Sequence, residues 1–176
     1  KDMTIETFLD RLMMAESGGR LNLRNSRSTA VGPFQFIAST WLSVARKHFA
    51  EETRLMSAYG ILKLRTDVTY ARRAARIYTE QNAAFLVANG HKASYPHLRL
   101  AFLVGPTGAR RVLAARPETK LVSILGATVI GANPFMAQMT AEDLIKRCAR
   151  EIATDRSTVA GLEPNADAIK NAGSRQ

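Results

Sequence analysis

Apolar residues recur along most of the chain at the spacing of one face of an α-helix, whereas the strict alternation that is typical of strands is nearly absent. In the first segment the spacing is i, i+3, i+4, i+7 and i+8, with apolar residues at Ile5, Phe8, Leu9, Leu12 and Met13. Thr4 precedes them as a suitable N-cap, and Gly18 follows as a residue type that commonly ends helices. The pattern predicts a first helix that ends near Glu16.

Three further helices are predicted from the same spacing and from start and stop residues. The second begins after Ser39 or Thr40. The third begins at Asp67, and the Asn-Gly pair at residues 89–90 ends it. The fourth covers residues 95–104 and is broken by the Gly-Pro-Thr-Gly stretch that follows.

The remaining apolar segments predict three more helices. A short one covers residues 109–115, and the next covers residues 121–130, which are apolar on almost all sides and therefore predicted to be buried. The last begins at Thr140, and its apolar face carries Cys148, which predicts a buried thiol. The predicted fold class is therefore all-α, a single compact helical domain of about seven helices with a minimal β-hairpin near residues 30–37.

The composition changes after about residue 153. Serine, asparagine, aspartate, alanine, glycine and proline dominate residues 154–176, as is typical of a tail or linker. The whole chain has 176 residues, of which 46% are hydrophobic, and this is enough for one core. We expect one domain over residues 1–153 and a polar tail or linker over residues 154–176.

The net charge favours polyanionic partners but does not distinguish one kind of polyanion from another. It is +10 at neutral pH, and a basic surface attracts polyanions such as nucleic acid, anionic lipid and acidic cell-wall polymers. One cysteine excludes an intramolecular disulfide, and the three histidines lack the spacing of metal ligands, so we expect no metal and no cofactor. No apolar run is long enough for a transmembrane segment. The chain begins Lys-Asp-Met, which we interpret as a processed or excised fragment that has lost an export signal.

Glu16 is the first candidate for chemistry. It stands at the C-terminal end of the predicted first helix, where the helix dipole disfavours a negative charge. Partial burial beside Met13 and Met14 disfavours the charge further. A glutamate that keeps its proton near neutral pH can act as a general acid, which contributes roughly 10²–10⁴ in rate. A solvated glutamate at a helix end is the alternative, and the position in the helix does not separate the two.

The segment that follows Glu16 is rich in groups that hydrogen-bond sugars. Residues 20–31 carry asparagine, serine, threonine and arginine side chains, which suit hydroxyl and N-acetyl groups. Residues 32–36, Gly-Pro-Phe-Gln-Phe, then bring bare backbone, two aromatic rings and one amide together. This set predicts a sugar platform, with core packing of Phe34 and Phe36 as the alternative.

Three motifs stand at characteristic separations. They are Glu-Ser-Gly-Gly at residues 16–19, Gly-Pro-Phe-Gln-Phe at residues 32–36 followed by Thr-Trp at 40–41, and Leu-Ala-Phe-Leu-Val-Gly-Pro-Thr-Gly-Ala at residues 100–109. Together they resemble the soluble lytic transglycosylase family and its lysozyme-like relatives. The resemblance covers about residues 4–150 and implies a lysozyme-like fold.

The resemblance implies cleavage of the β-1,4 bond between N-acetylmuramic acid and N-acetylglucosamine in peptidoglycan. One glutamate protonates the leaving oxygen and then takes the proton of the muramic acid 6-hydroxyl, which closes onto C1 to give a 1,6-anhydro product. A two-carboxylate mechanism needs a second acid about 5–10 Å from the first. No Asp or Glu stands between Arg20 and Ala50, where hydrolysing relatives often place theirs.

The resemblance also assigns roles to individual residues. It makes Glu16 the catalytic acid and base, and it implies substrate-binding roles for Ser17, Ser26, Gly32, Phe34, Gln35, Phe36, Tyr78 and Phe102. Phe102 and the residue after it replace the Tyr-Asn pair of the common third motif, so the tyrosine hydroxyl is missing from that position. Tyr78, Tyr95 or Tyr59 is a candidate to replace it.

The leading hypothesis is a peptidoglycan lytic transglycosylase, a glycan-cleaving lyase located in the periplasm or cell envelope, or alternatively on a virion. Its expected partners are peptidoglycan strands, together with an envelope-spanning secretion or motility machine or a phage assembly. A hydrolytic muramidase is the second hypothesis and needs a distant acid such as Glu51, Glu52, Asp67 or Glu80. The third is a non-catalytic peptidoglycan-binding or scaffold domain. A nucleic-acid binder is disfavoured because the arginines are spread along the helices and no recognised motif is present.

Overall fold

The computed structural model describes residues 3–153. These residues form eight α-helices: α1 (Ile5–Ser17), α2 (Ala38–His48), α3 (Ala50–Thr53), α4 (Ala58–Lys63), α5 (Val68–Ala88), α6 (Tyr95–Ala114), α7 (Ala127–Ala132) and α8 (Ala141–Ala153). Three short 3-10 helices lie between them, at Leu64–Thr66, Leu121–Ser123 and Pro134–Gln138. The predicted all-α class is confirmed. The predicted tail at residues 154–176 lies outside the described residues.

Local capping explains where α1 and α5 begin. Oγ1 of Thr4 accepts a hydrogen bond from the backbone N–H of Thr7 at 3.2 Å. Oδ1 of Asp67 accepts from the N–H groups of Thr69 and Tyr70 at 2.9 and 3.1 Å. These bonds satisfy backbone donors that have no acceptor inside the helix. The predicted starts of both helices are confirmed.

α6 contains the predicted break as a kink within one continuous element. Gly105 has φ 82° and ψ 161°, a conformation that residues with a Cβ rarely adopt. Helical geometry resumes at Pro106, because its fixed φ and missing N–H suit the first turn of a helix. The prediction of a separate helix from residue 109 therefore placed the second start too far along the chain.

The prediction of one buried helix over residues 121–130 was wrong. The chain forms the 3-10 helix Leu121–Ser123 and then α7. Within residues 121–130, Leu121 and Leu125 are the buried side chains. Gly126 is the N-cap of α7 and has a non-helical backbone conformation, so residues 121–130 cannot form one helix. The segment packs against the outside of the core.

The segment between α1 and α2 folds as a tight loop with very little β-structure. Isolated antiparallel bridges join Arg24 to Val31 and Val31 to Phe36. Gly32 has φ 96°, and a Cβ at this position would lie 2.1 Å from the carbonyl oxygen of Arg65. The predicted minimal hairpin is therefore present only as single bridges, because the chain turns sharply against the backbone that precedes α5.

The core lies where α6 packs among α1, α5 and α8. Residues 98–105 of α6 are all buried, and α6 packs against α5 and α8 while α1 packs against the same two helices. A helix that is buried on all sides belongs to the interior of a domain. Within the described part of the chain, none of the helices has both the length and the apolar character that crossing a bilayer requires. This packing brings the end of α1, the middle of α6 and the end of α8 together.

Candidate functional site

Glu16 is a core residue. Its side chain has no exposed surface. It lies four residues after Leu12 and seven after Leu9, on the buried face of α1, because positions with these spacings share one face of a helix. The solvated glutamate that the sequence left open is therefore wrong.

A buried arginine binds Glu16. Nη1 of Arg99, on α6, donates a hydrogen bond to Oε2 of Glu16 at 2.5 Å. Nε of the same guanidinium donates to Oε1 of Glu151, on α8, at 3.1 Å. Nε of Arg147 lies 3.9 Å from the other oxygen of Glu151. We call Glu16, Arg99 and Glu151 the buried triad, and it links α1, α6 and α8.

The buried triad places two carboxylates around one guanidinium, away from water. Burial lowers the pKa of Arg99, but the charges of Glu151 and Glu16 outweigh burial, so its pKa is raised above its ordinary value. Arg99 is therefore a permanent cation. Removing one partner of a buried ion pair typically costs about 3–5 kcal/mol, because the other charge stays behind without compensation. Each carboxylate of the triad therefore needs Arg99 to compensate its buried charge, and Arg99 needs the carboxylates.

Neither Arg99 nor Glu151 was predicted as a site residue, although the sequence carries a signal for both. Arg99 interrupts an otherwise uncharged run that fills the buried half of α6. Glu151 lies three residues after Cys148 and seven after Leu144, on the apolar face of α8. Charged residues are almost never fully buried unless they are paired. Opposite charges at core positions of two helices therefore predict a buried pair.

Ser17 holds the turn that follows Glu16. Its Oγ donates to the carbonyl oxygen of Met13 at 3.2 Å and accepts from the N–H of Gly19 at 3.0 Å. Ser17 is buried, so these bonds fix the backbone next to the glutamate. Ser26, in contrast, is exposed in the loop between α1 and α2, and it is the exposed member of the predicted substrate-binding set.

The Gly-Pro-Phe-Gln-Phe motif is buried throughout residues 32–36. Nε2 of Gln35 donates to the carbonyl oxygens of Leu23 and Gly32 at 2.8 and 2.7 Å. Gln35 has φ 53°, which is uncommon for a residue with a Cβ. The motif thus closes the loop and packs both of its phenylalanines into the core. A contact of these residues with sugar stays a prediction.

Phe36, Tyr78 and Phe102 form an aromatic cluster. The ring centroid of Phe36 lies 6.0 Å from that of Tyr78 and 5.4 Å from that of Phe102. The rings of Tyr78 and Phe102 are 5.6 Å apart, and all three pairs have the edge-to-face geometry that aromatic rings prefer. Phe102 has no exposed surface, whereas Tyr78 borders an open groove.

The three tyrosines proposed to replace the missing motif tyrosine lie in different places. Tyr95 stacks on Phe8, with centroids 5.0 Å apart. Tyr59 lies on α4 and is 75% exposed. Tyr78 adjoins Phe102, the residue at which the resemblance expects a tyrosine. Tyr78 is therefore the candidate whose ring contacts that of Phe102.

Two open grooves flank the start of α2. The first has a volume of about 280 Å³ and is lined by residues of α2, α5 and α6, among them Ser39, Tyr78 and Gln81. The second has a volume of about 320 Å³ and is lined by residues 27–29, Ile37 and residues of α7. Hydroxyl and amide groups from both sides of the α2 start therefore face solvent-accessible space.

The four acidic residues that are candidates for the second acid of a hydrolytic mechanism form ion pairs or cap a helix at the protein surface. Glu51 pairs with Arg54, Glu52 with Arg73, Glu80 with Arg76, and Asp67 caps α5. The carboxylate that shares a partner with Glu16 is instead that of Glu151, and one guanidinium joins the two. Residues 3–153 contain no group of three or more His, Cys, Asp or Glu side chains placed to hold a metal ion.

Comparison with known proteins assigns no family. No protein-family model matches the chain, and no curated protein matches it at a significant level. The features that bear on function are therefore the buried triad, the loop that follows α1 and the two grooves.

Proposed function

We propose that this domain acts on peptidoglycan as a lytic transglycosylase in which Glu16 serves as the single acid and base. The burial of Glu16 at the end of α1 carries the proposal. A carboxylate in a protein core costs stability, and an apolar side chain would pack there without that cost. Buried ionisable groups with a specific charged partner are candidates for chemistry. Glu16 is also the residue that the resemblance makes catalytic.

The proposed reaction starts from the protonated form of Glu16, which takes its proton from water when the segment that covers it opens. Glu16 then gives this proton to the oxygen of the glycosidic bond that breaks. Between the two steps, the N-acetyl group of the substrate stabilises the positive charge that develops at C1. The 6-hydroxyl of the muramic acid then closes onto C1 while Glu16 takes its proton, so the glutamate returns to its starting state and no water is consumed. Nη1 of Arg99 lies at Oε2 of Glu16, where it stabilises the carboxylate that exists between the two proton transfers.

Catalysis requires Glu16 to reach the sugar. Because its side chain has no exposed surface, substrate binding has to expose it by moving the segment that covers it, while the contact with Arg99 is kept. The two grooves beside the start of α2 are the places where a glycan strand would lie. Tyr78, which lines the first groove, would then be the predicted substrate-binding residue that meets the strand there.

A non-catalytic peptidoglycan-binding or scaffold domain is the second candidate. The burial of Glu16 also favours this candidate, because a glutamate that is closed off from solvent and bound to Arg99 cannot contact a substrate as it stands. Seven of the eight predicted substrate-binding residues are also buried. In this case the buried triad would serve only to hold α1, α6 and α8 together.

The test is mass spectrometry of muropeptides released from purified peptidoglycan by the wild type and by Glu16→Gln. We expect 1,6-anhydro products from the wild type and a loss of at least about 10²-fold in Glu16→Gln, as for removal of a general acid. Glu51→Gln and Glu80→Gln are matched controls, because each removes one exposed carboxylate and should keep the wild-type rate. Circular dichroism checks that every variant is folded.

The other outcomes separate the remaining hypotheses. Products with reducing ends would mean hydrolysis, and a loss of activity in Glu51→Gln or Glu80→Gln would identify the second acid. A folded wild type that binds peptidoglycan and releases nothing would favour the non-catalytic domain.

The proposed substrate also suggests where the protein works. A net charge of +10 suits a wall polymer whose peptides carry carboxylates. We propose a periplasmic or cell-envelope location, or a place on a virion, with a secretion, motility or phage assembly as the second partner. Fractionation of cells that express the full-length protein tests this.

A further inference from the structure

Arg65 is a buried cation that has no acidic partner within the described part of the chain. It lies in the 3-10 helix before α5 and is 8% exposed. Its Nη1 donates to the carbonyl oxygens of Thr29 and Phe36 at 2.6 and 2.9 Å, and its Nε donates to that of Leu62 at 3.0 Å. No carboxylate among residues 3–153 pairs with it, and Nη2 has no acceptor among these residues. This contrasts with Arg99, which is held between two carboxylates.

Two further cations stand beside Arg65. Arg24 and Lys63 line the same cleft, which has a volume of about 210 Å³, and no acidic side chain of the described residues lines it. Burial lowers the pKa of Arg65, and the charge of Arg24 lowers it further. The cleft therefore concentrates positive charge that the described chain does not neutralise.

The rim of the cleft adds groups of a second kind. Tyr59 lines it with a ring that is 75% exposed, and Asn22 contributes an exposed amide. An exposed aromatic ring beside cations suits a ligand with an apolar body and an anionic end. The volume of the cleft suits one short anionic group at a time.

We infer that the cleft formed by Arg24, Lys63 and Arg65 binds a carboxylate of the peptide attached to muramic acid. The anionic character of the ligand follows from the cleft itself, whereas its identity as a muropeptide rests on the proposed function. The free Nη2 of Arg65 and the two flanking cations supply charge-assisted hydrogen bonds to the carboxylate. The ring of Tyr59 packs against the adjoining sugar or side chain.

The test measures binding of a soluble muropeptide by calorimetry, with the same muropeptide carrying amidated peptide carboxyl groups as the second ligand. Arg24→Gln combined with Lys63→Gln should raise the dissociation constant for the muropeptide at least about tenfold and leave binding of the amidated muropeptide unchanged. Arg65 is left unaltered, because its three bonds to backbone carbonyls hold the loop. Arg46→Gln combined with Lys47→Gln is the control, since it removes two exposed cations from α2 and should change binding less than about twofold.

Three results would overturn the inference. The first is equal affinity of the wild type for the muropeptide and for its amidated form, and the second is equal effects of the two double variants. The third is displacement of the muropeptide by inorganic phosphate at concentrations at which acetate has no effect. The last would assign the cleft to a phosphate-bearing polymer. Because a muropeptide is a product and is not cleaved, failure of the proposed transglycosylase reaction would leave this measurement unaffected.

Discussion

Arg99 holds two carboxylates that are far from it in the chain. Glu16 lies 83 residues before it and Glu151 lies 52 residues after it. The charges are desolvated together, so each carboxylate is tolerated in the core only because the guanidinium is there. At the residue scale, the same contact explains the stability of the end of α1 and sets the conditions under which Glu16 could act.

Arg99→Met should therefore destabilise the domain strongly. The variant leaves Glu16 and Glu151 in the core without their cation, and we expect a loss of about 3–5 kcal/mol in the free energy of unfolding. Urea denaturation followed by circular dichroism measures it. Arg150→Met removes an exposed cation from α8 and should change stability by no more than about 0.5 kcal/mol.

A rescue variant separates the loss of the ion pairs from the loss of packing. Glu16→Gln and Glu151→Gln added to Arg99→Met should restore part of the stability, because neutral amides cost less to bury than carboxylates. A triple variant no more stable than Arg99→Met would contradict the electrostatic explanation.

Cys148 should be chemically silent in the folded protein. Its side chain is buried on α8, and burial, with a contribution from the charge of Glu151, raises the pKa of the thiol to about 12. Since the thiolate is the reactive form, iodoacetamide at pH 8 should leave the native chain unmodified and alkylate it completely in urea. Mass spectrometry gives the modified fraction, and fast alkylation of the native chain would show that α8 opens readily.

The loop between α1 and α2 is the element that depends most on a single backbone position. Its turn passes so close to the 3-10 helix before α5 that a Cβ on Gly32 would meet the carbonyl oxygen of Arg65 at 2.1 Å. Gln35 and Arg65 then tie the loop to backbone carbonyls on both sides. The loop is therefore held by a few polar contacts instead of by a strand ladder.

Gly32→Ala should disrupt this loop. The positive φ alone costs about 1–3 kcal/mol for a residue with a Cβ, and the contact with Arg65 adds to it. Gly126→Ala is the matched control, because its φ is −70° and a Cβ there meets no atom within 4 Å. Thermal unfolding of both variants checks the prediction, and equal melting temperatures would contradict the close approach.

At the scale of the whole molecule, surface ion pairs fasten α5 to its neighbours. Arg72 binds Glu6 at 2.9 Å and Asp10 at 2.7 Å on α1, and Arg73 binds Glu52 on α3 at 2.9 Å. A hydrogen bond from Arg72 lowers the pKa of Glu6 below its ordinary value of 4.5. Hydrogen bonds from Arg73 and a neighbouring tyrosine lower the pKa of Glu52 in the same way.

These shifts predict loss of stability in acid. Because each pKa is lower in the folded than in the unfolded state, the stabilisation is complete above the ordinary value of 4.5 and is lost as the pH falls through the folded pKa. We expect the melting temperature to drop between about pH 4.5 and lower pH, and to drop less in a variant with Glu6→Gln and Glu52→Gln. Wild type and variant should converge in acid, and a difference that persists at low pH would contradict the assignment.

The parts of the fold that could be predicted are those fixed by hydrogen bonds between residues close together in the chain. The starts of α1 and α5 follow from Thr4 and Asp67, whose side chains bond the backbone two or three residues on. α3 and α4 were not predicted because four and six residues are too few to show a period. The segment over residues 121–130 was misassigned because apolar composition alone does not distinguish a buried helix from a surface layer.

The sequence by itself determined the all-α class and the long helices, because caps and the helical period act over a few residues. Only the tertiary structure decided that Glu16 is buried and that it meets Arg99 and Glu151, since the three come from helices that are separated in the chain and meet only when the core is packed. It also decided that Arg65 lies beside Arg24 and Lys63 in a cleft that no carboxylate of residues 3–153 lines. A local pattern can place a charge at a core position, but which charges pair there is a property of packing.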